Sequence, residues 1–185
     1  MPLYPPINLN NYEWLPADRG LIAHNNSIED FGGTVTPGTA GRIEGAKIKL
    51  PSAAVVTNIV MSCQTAGSTL TAGQCFAALY TPAGALVAQT ADQAGSWASS
   101  GIKTMALAAG PFTLAAGNYN VCFWYNGTTS PTWLRGGSIG SPALNLGTAA
   151  PAFMWFTADT GLTTTAPGTL GTETASASAY WVALS

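Results

Sequence analysis

The residues best suited to chemistry in this chain are few and badly spaced for it. Gly136-Gly137-Ser138-Ile139-Gly140 spells a G-x-S-x-G nucleophile elbow. In that motif a strained strand-to-helix turn presents a serine to an acid and a histidine that follow it in the chain. Here the single histidine, His24, lies upstream, and no 3.6-residue apolar period follows the serine. In a chain rich in Gly and Ser these letters define a loop. The other polar cluster is Asp18-Arg19-Gly20, His24 and Glu29-Asp30. Carboxylates six positions before and five after one histidine match neither H-E-x-x-H nor an EF-hand loop. An ion pair anchoring the N-terminal segment is therefore expected in place of a carboxylate–His pair or a cation site. Asp92, Asp159 and Glu173 stand singly in loops, where solvated charges normally sit. These residues predict no enzyme, no metal and no cofactor.

Cys63, Cys75 and Cys122 lie inside apolar, strand-like runs. An odd number without C-x-x-C spacing makes a poor zinc site and a poor disulfide framework. Three buried thiols acting as small hydrophobes are expected, with one disulfide plus a free thiol as the alternative. The six tryptophans are more informative. Trp124, Trp155 and Trp181 fall within strand runs and read as core. Trp97, in Gly95-Ser96-Trp97-Ala98-Ser99, and Trp133, after Ser130-Pro131-Thr132, sit near loop ends. There they are candidates to stack on a sugar ring or anchor a partner, the alternative being a lid over the end of the domain.

The elements that position these residues come from an unusual composition. Only 8% of the 185 residues are charged, six Lys and Arg against eight Asp and Glu, where a typical soluble domain has about 25%. The balance of -2 gives no attraction to nucleic acid or to an anionic membrane surface. Apolar runs such as 55–61 and 121–125 are too short to span a bilayer. The opening Met1-Pro2-Leu3-Tyr4-Pro5-Pro6 lacks the basic and apolar regions of a secretory signal, so the Asn25-Asn26-Ser27 and Asn126-Gly127-Thr128 sequons carry no message. Such a surface, neutral, hydroxyl-rich and dotted with aromatics, favours a structural or attachment protein assembled in a reducing cytoplasm.

Residues 1–44 differ from the rest and read as an arm and docking segment. They hold Pro2, Pro5, Pro6, Pro16 and Pro37 of the twelve prolines, together with Glu13, Asp18, Arg19, Glu29, Asp30, Arg42 and Glu44. Proline removes backbone donors and resists helix, so residues 1–14 read as extended. Leu3, Tyr4, Ile7, Leu9, Tyr12 and Trp14 make that stretch too apolar for a solvated tail. It needs a surface to lie on, its own domain's or a neighbour's.

Residues 45–185 read as one β domain. Strand-like runs fall at 46–50, 55–63, 75–81, 85–90, 102–107, 119–125, 132–135, 152–156 and 179–184, with Pro82-Ala83-Gly84 and Asn126-Gly127 as turns. No stretch shows a clean helical period. About nine short strands separated by Gly and Pro turns predict an all-β sandwich or jelly roll. One device recurs: Thr69-Leu70-Thr71-Ala72-Gly73-Gln74 and Thr113-Leu114-Ala115-Ala116-Gly117-Asn118 each hand over to an apolar strand.

Several segments together carry a resemblance. They are Asp18-Arg19-Gly20-Leu21-Ile22-Ala23, residues 67–80 continuing through Pro82-Ala83-Gly84 to Thr90-Ala91-Asp92-Gln93, Ile102-Lys103-Thr104-Met105-Ala106-Leu107, Gly117-Asn118-Tyr119, and Tyr180-Trp181-Val182-Ala183-Leu184-Ser185. Over most of residues 18–185 the chain resembles a β-sandwich module of virion proteins in tailed bacteriophages infecting actinobacteria, described as minor tail or accessory capsid proteins. The resemblance implies a non-enzymatic virion component and names no active site. The chain has neither heptads nor a Gly-x-y repeat to build a fibre stalk, which favours capsid decoration over a tail location. The expected partners are major capsid or tail proteins, reached through residues 1–14, and further copies of the chain. Trimers suit a lattice with threefold positions. The alternative is a carbohydrate-binding module that holds host cell-wall glycan through Trp97 and Trp133.

Overall fold

The computed structural model describes residues 14–136 and 145–185. Its strands, in chain order, are β1 (Ala23–His24), β2 (Gly33–Val35), β3 (Ile43–Leu50), β4 (Ala54–Val56), β5 (Asn58–Thr65) and β6 (Ser68–Leu70). They continue with β7 (Phe76–Tyr80), β8 (Leu86–Gln89), β9 (Gly101–Ala106), β10 (Phe112–Leu114) and β11 (Gly117–Trp124). The last are β12 (Gly127–Thr129), β13 (Thr132–Arg135), β14 (Trp155–Ala158), β15 (Thr174–Ala175) and β16 (Val182–Leu184). One turn of α-helix, α1 (Ala94–Trp97), and two 3-10 turns, Pro16–Arg19 and Ile28–Asp30, are the described helical elements.

The strands form two six-stranded antiparallel sheets. The front sheet is built around β5. One edge of β5 pairs with β9, from Asn58 opposite Ala106 to Cys63 opposite Gly101. Its other edge is divided: β16 pairs with Ile59, Val60 and Met61, and β13 takes over at Cys63 and Thr65. β1 then adds to β16, and β2 to β13. The back sheet runs β15-β14-β3-β11-β7-β8, with β3 and β11 in register from Leu50 opposite Gly117 to Glu44 opposite Phe123.

Strand alternation decides what lies between the sheets. On β3, Ala46, Ile48 and Leu50 point inward; on β11, Val121 and Phe123 do the same. They meet Ile59, Met61, Met105, Val182 and Leu184 of the front sheet in one core, closed at one end by Trp97, Trp133 and Tyr180. Face-to-face packing of this kind makes the fold an all-β sandwich, as the spacing of the runs implies.

Both outer faces are covered as well, which explains why β7 is buried at every position. Residues 159–173 lie across the back sheet, bringing Leu162, Ala166 and Leu170 onto Ile43, Phe76, Tyr80, Trp124 and Phe156. This strap is held by backbone bonds at Gly41, Ile43, Gly84 and Leu86 and by side chains reaching its backbone. Trp124 Nε1 donates to the Thr163 carbonyl (3.1 Å), Tyr80 Oη to Pro167 (3.1 Å) and Asn126 Nδ2 to Leu162 (2.8 Å). Gln89 Oε1 accepts from the Ala166 amide (2.6 Å). On the front sheet residues 15–31 do the same job, setting Leu21, Ile28 and Phe31 over Val60, Trp181 and Ala183. Trp181 Nε1 donates there to the Asn26 carbonyl (3.1 Å).

The boundary expected between residues 44 and 45 does not separate two units. It falls inside β3, and β1 and β2 belong to the front sheet. The charges that mark residues 1–44 do not keep the segment off the sheet, because Arg42 and Glu44 pair with each other and the Glu44 carboxylate is buried. The nine expected runs all contain strands, but the run 55–63 breaks at Thr57 into β4 and β5. The recurring turn device is also real: three-residue strands β6 and β10 precede glycines that lead into β7 and β11, and Gly73 adopts φ +76°. A glycine is required at Gly45 for another reason, since any Cβ there would overlap the Phe156 ring.

Candidate functional site

Trp97 and Trp133 are both fully buried, 0% exposed, so the expectation of a sugar-stacking surface is wrong for these residues. α1 swings Trp97 inward, held by Asp92 Oδ1, which accepts from the amides of Cys75 (3.1 Å) and Ala94 (3.3 Å). A shift of register between Thr132 and Trp133 turns Trp133 into the same space. Their rings meet edge to face at 5.2 Å, with Phe123 5.4 Å from Trp133 and Tyr180 4.8 Å from Phe123. The neighbouring Ser, Gly and Pro residues gave a surface reading to what is a core cluster. Trp124, Trp155 and Trp181 are core, as expected.

The carboxylates expected to be solvated are structural too. Asp92 Oδ1 accepts from the first amide of α1, Asp159 Oδ2 accepts from the Gly171 amide (2.8 Å), and Glu173 pairs with Lys47. Cys63, Cys75 and Cys122 are free and buried. Burial pushes each thiol above its ordinary value, away from the reactive thiolate. Glu44 and Tyr180 share the sandwich interior, and desolvation raises both, only partly offset at Glu44 by the guanidinium of Arg42. No group of His, Cys, Asp and Glu able to hold a metal gathers among the described residues. Of the G-x-S-x-G motif, Gly137–Gly140 lie outside the described residues.

The cluster near the N-terminus does form the expected ion pair. Arg19 bonds Glu29 and so joins the two 3-10 turns, while Ser27 Oγ donates to Glu29 Oε2. The Arg19 guanidinium also lies 5.8 Å from the centre of the Trp14 ring. What this pair frames is apolar and open. Trp14 is 59% exposed, Leu15 63%, and Ile102 on β9 57%. Arg19, Leu21, Ile28, Val60, Ile102 and Trp181 line a cleft of about 180 Å³ on the same face. Leu15 and Ile102 were not foreseen; an isolated apolar residue beside a proline or a glycine carries no distinguishing signal. Leu3, Tyr4, Ile7, Leu9 and Tyr12 lie outside the described residues, so of the expected docking set Trp14 alone can be placed.

No helix among the described residues is long and apolar enough to cross a membrane. No family model matches this chain, and no curated protein matches it in sequence.

Proposed function

We propose that this chain is a non-enzymatic structural protein on the surface of a tailed phage particle, assembled in the bacterial cytoplasm and docked through its N-terminal segment. A capsid decoration role is favoured over a minor tail role. The observation that carries the reading is the exposed Trp14–Leu15 pair beside the Ile102 cleft, at the root of the apolar stretch holding Leu3, Tyr4, Ile7, Leu9 and Tyr12. Contiguous apolar surface of this kind marks an interaction site. Both faces of the sandwich are strapped internally, and three of the large exposed hydrophobics among the described residues, Trp14, Leu15 and Ile102, belong to this patch.

Removing residues 1–14 is expected to abolish incorporation into particles while the sandwich stays folded; normal incorporation of the shortened chain would refute the proposal. The same patch supports a homotrimer, with a light-scattering mass near three times 18.9 kDa. A monodisperse monomer would contradict the trimer. The glycan-stacking alternative loses its residues with the burial of Trp97 and Trp133.

A further inference from the structure

Where β14 leaves the edge of β3, a cleft of about 540 Å³ opens against β1. That size is typical of small-molecule sites, roughly 300–1,000 Å³. Lys47 and Lys49 line it together with His24: two of the six lysines and arginines and the one histidine of a charge-poor chain. No carboxylate is among its lining residues.

The polar groups divide into used and unused. Lys47 Nζ is committed to Asn120 Oδ1 (2.8 Å) and Glu173 Oε1 (3.0 Å), and Asn25 Nδ2 to the Tyr180 carbonyl (2.8 Å). Lys49 is exposed and makes no ion pair among the described residues. The Asn118 side chain has no hydrogen bond there either. Both ring nitrogens of His24 are shut from solvent without a protein partner, an arrangement that needs an explanation in a folded protein. His24 lines the cleft, and its ring is held by no hydrogen bond about a χ2 that is a soft torsion, which leaves it free to turn toward a ligand. Ala152 and Met154, both exposed, supply an apolar wall, with the core residue Ile48 behind it.

We propose that this cleft binds an acidic saccharide, its anionic group on Lys49, its hydroxyls on Asn118 and His24, and its C–H face on Met154 and Ala152. A bare inorganic anion would leave the apolar wall unused, and a purely apolar ligand would bury Lys49 without a partner. A sugar ring bearing a carboxylate or a phosphate uses every element. The cleft shares no residue with the Trp14 patch, so the inference stands apart from the docking reading.

The test is calorimetric and NMR titration of the full chain with glucuronic acid, glucose 6-phosphate, glucose and inorganic phosphate. At least one acidic sugar is expected to bind about tenfold more tightly than glucose or phosphate, with shifts at the His24 ring, and the tighter of the two identifies the anionic group. Lys49→Gln, at an exposed position, is expected to lose about that tenfold without lowering the melting temperature. Failure of both acidic sugars to bind, equal binding of glucose or of phosphate alone, or undiminished binding by Lys49→Gln would each overturn the proposal.

Discussion

Lys47 on β3 and Glu173 at the end of the 159–173 strap form a buried ion pair, Nζ to Oε1 3.0 Å, with side chains 12% and 2% exposed. The ammonium also lies 5.1 Å from the centre of the Phe156 ring and bonds Asn120, so one side chain ties β3, β11, β14 and the strap together. Glu173 Oε2 accepts from the Phe153 amide at 3.3 Å, extending the tie to the approach of β14.

Breaking that pair from one side leaves an uncompensated buried charge. Glu173→Ala is expected to cost about 3–5 kcal/mol, whereas replacing both residues with apolar ones of similar size costs far less. Urea denaturation of the two variants checks the contrast. Equal losses for the single and double replacements would show that packing, not charge, holds the strap.

Glu44 and Glu173 make an unusual prediction about pH. Burial raises both carboxyls above their ordinary 4.5, more than Arg42 and Lys47 lower them. A folded state that holds these protons more tightly than the unfolded chain gains stability as pH falls. The contribution is therefore complete below 4.5 and is lost as pH rises through the raised folded values. The thermal midpoint of Glu44→Gln should depend less on pH across that window than the unaltered chain's. Identical slopes would contradict the burial argument.

The Trp97–Trp133 pair predicts a stability defect where a surface site would give a binding defect. Trp133→Ala is expected to cost about 3–5 kcal/mol through the cavity it opens. Trp133 Nε1 has no hydrogen-bond partner, so Trp133→Phe surrenders packing volume without a bond and keeps most of the stability. Chemical denaturation distinguishes the two. A Trp133→Ala protein as stable as the unaltered chain would mean that the indole is not in the core.

The long strands were legible in the sequence because their apolar residues alternate or run together, as in β5, β7 and β11. The two- and three-residue strands β1, β2, β12 and β15 were not, being too short to show a period. The straps were invisible for a different reason. Residues 159–173 are Thr- and Gly-rich like any loop, and what holds them down includes bonding from Trp124, Tyr80, Asn126 and Gln89, all distant in sequence. The ion pair of the N-terminal cluster was readable from local spacing. The cleft holding His24 and Lys49 was not, because only the approach of β1 to β3 brings them together.

The central claim, that the N-terminal segment docks this chain onto a phage particle, is tested most directly by electron cryo-microscopy of the intact particle. The account predicts density for the sandwich on the outer surface, with residues 1–14 and the Trp14–Leu15 patch packed against a neighbouring shell or tail subunit. Residues 1–14 folded wholly against their own sandwich, or a particle without this chain, would contradict it.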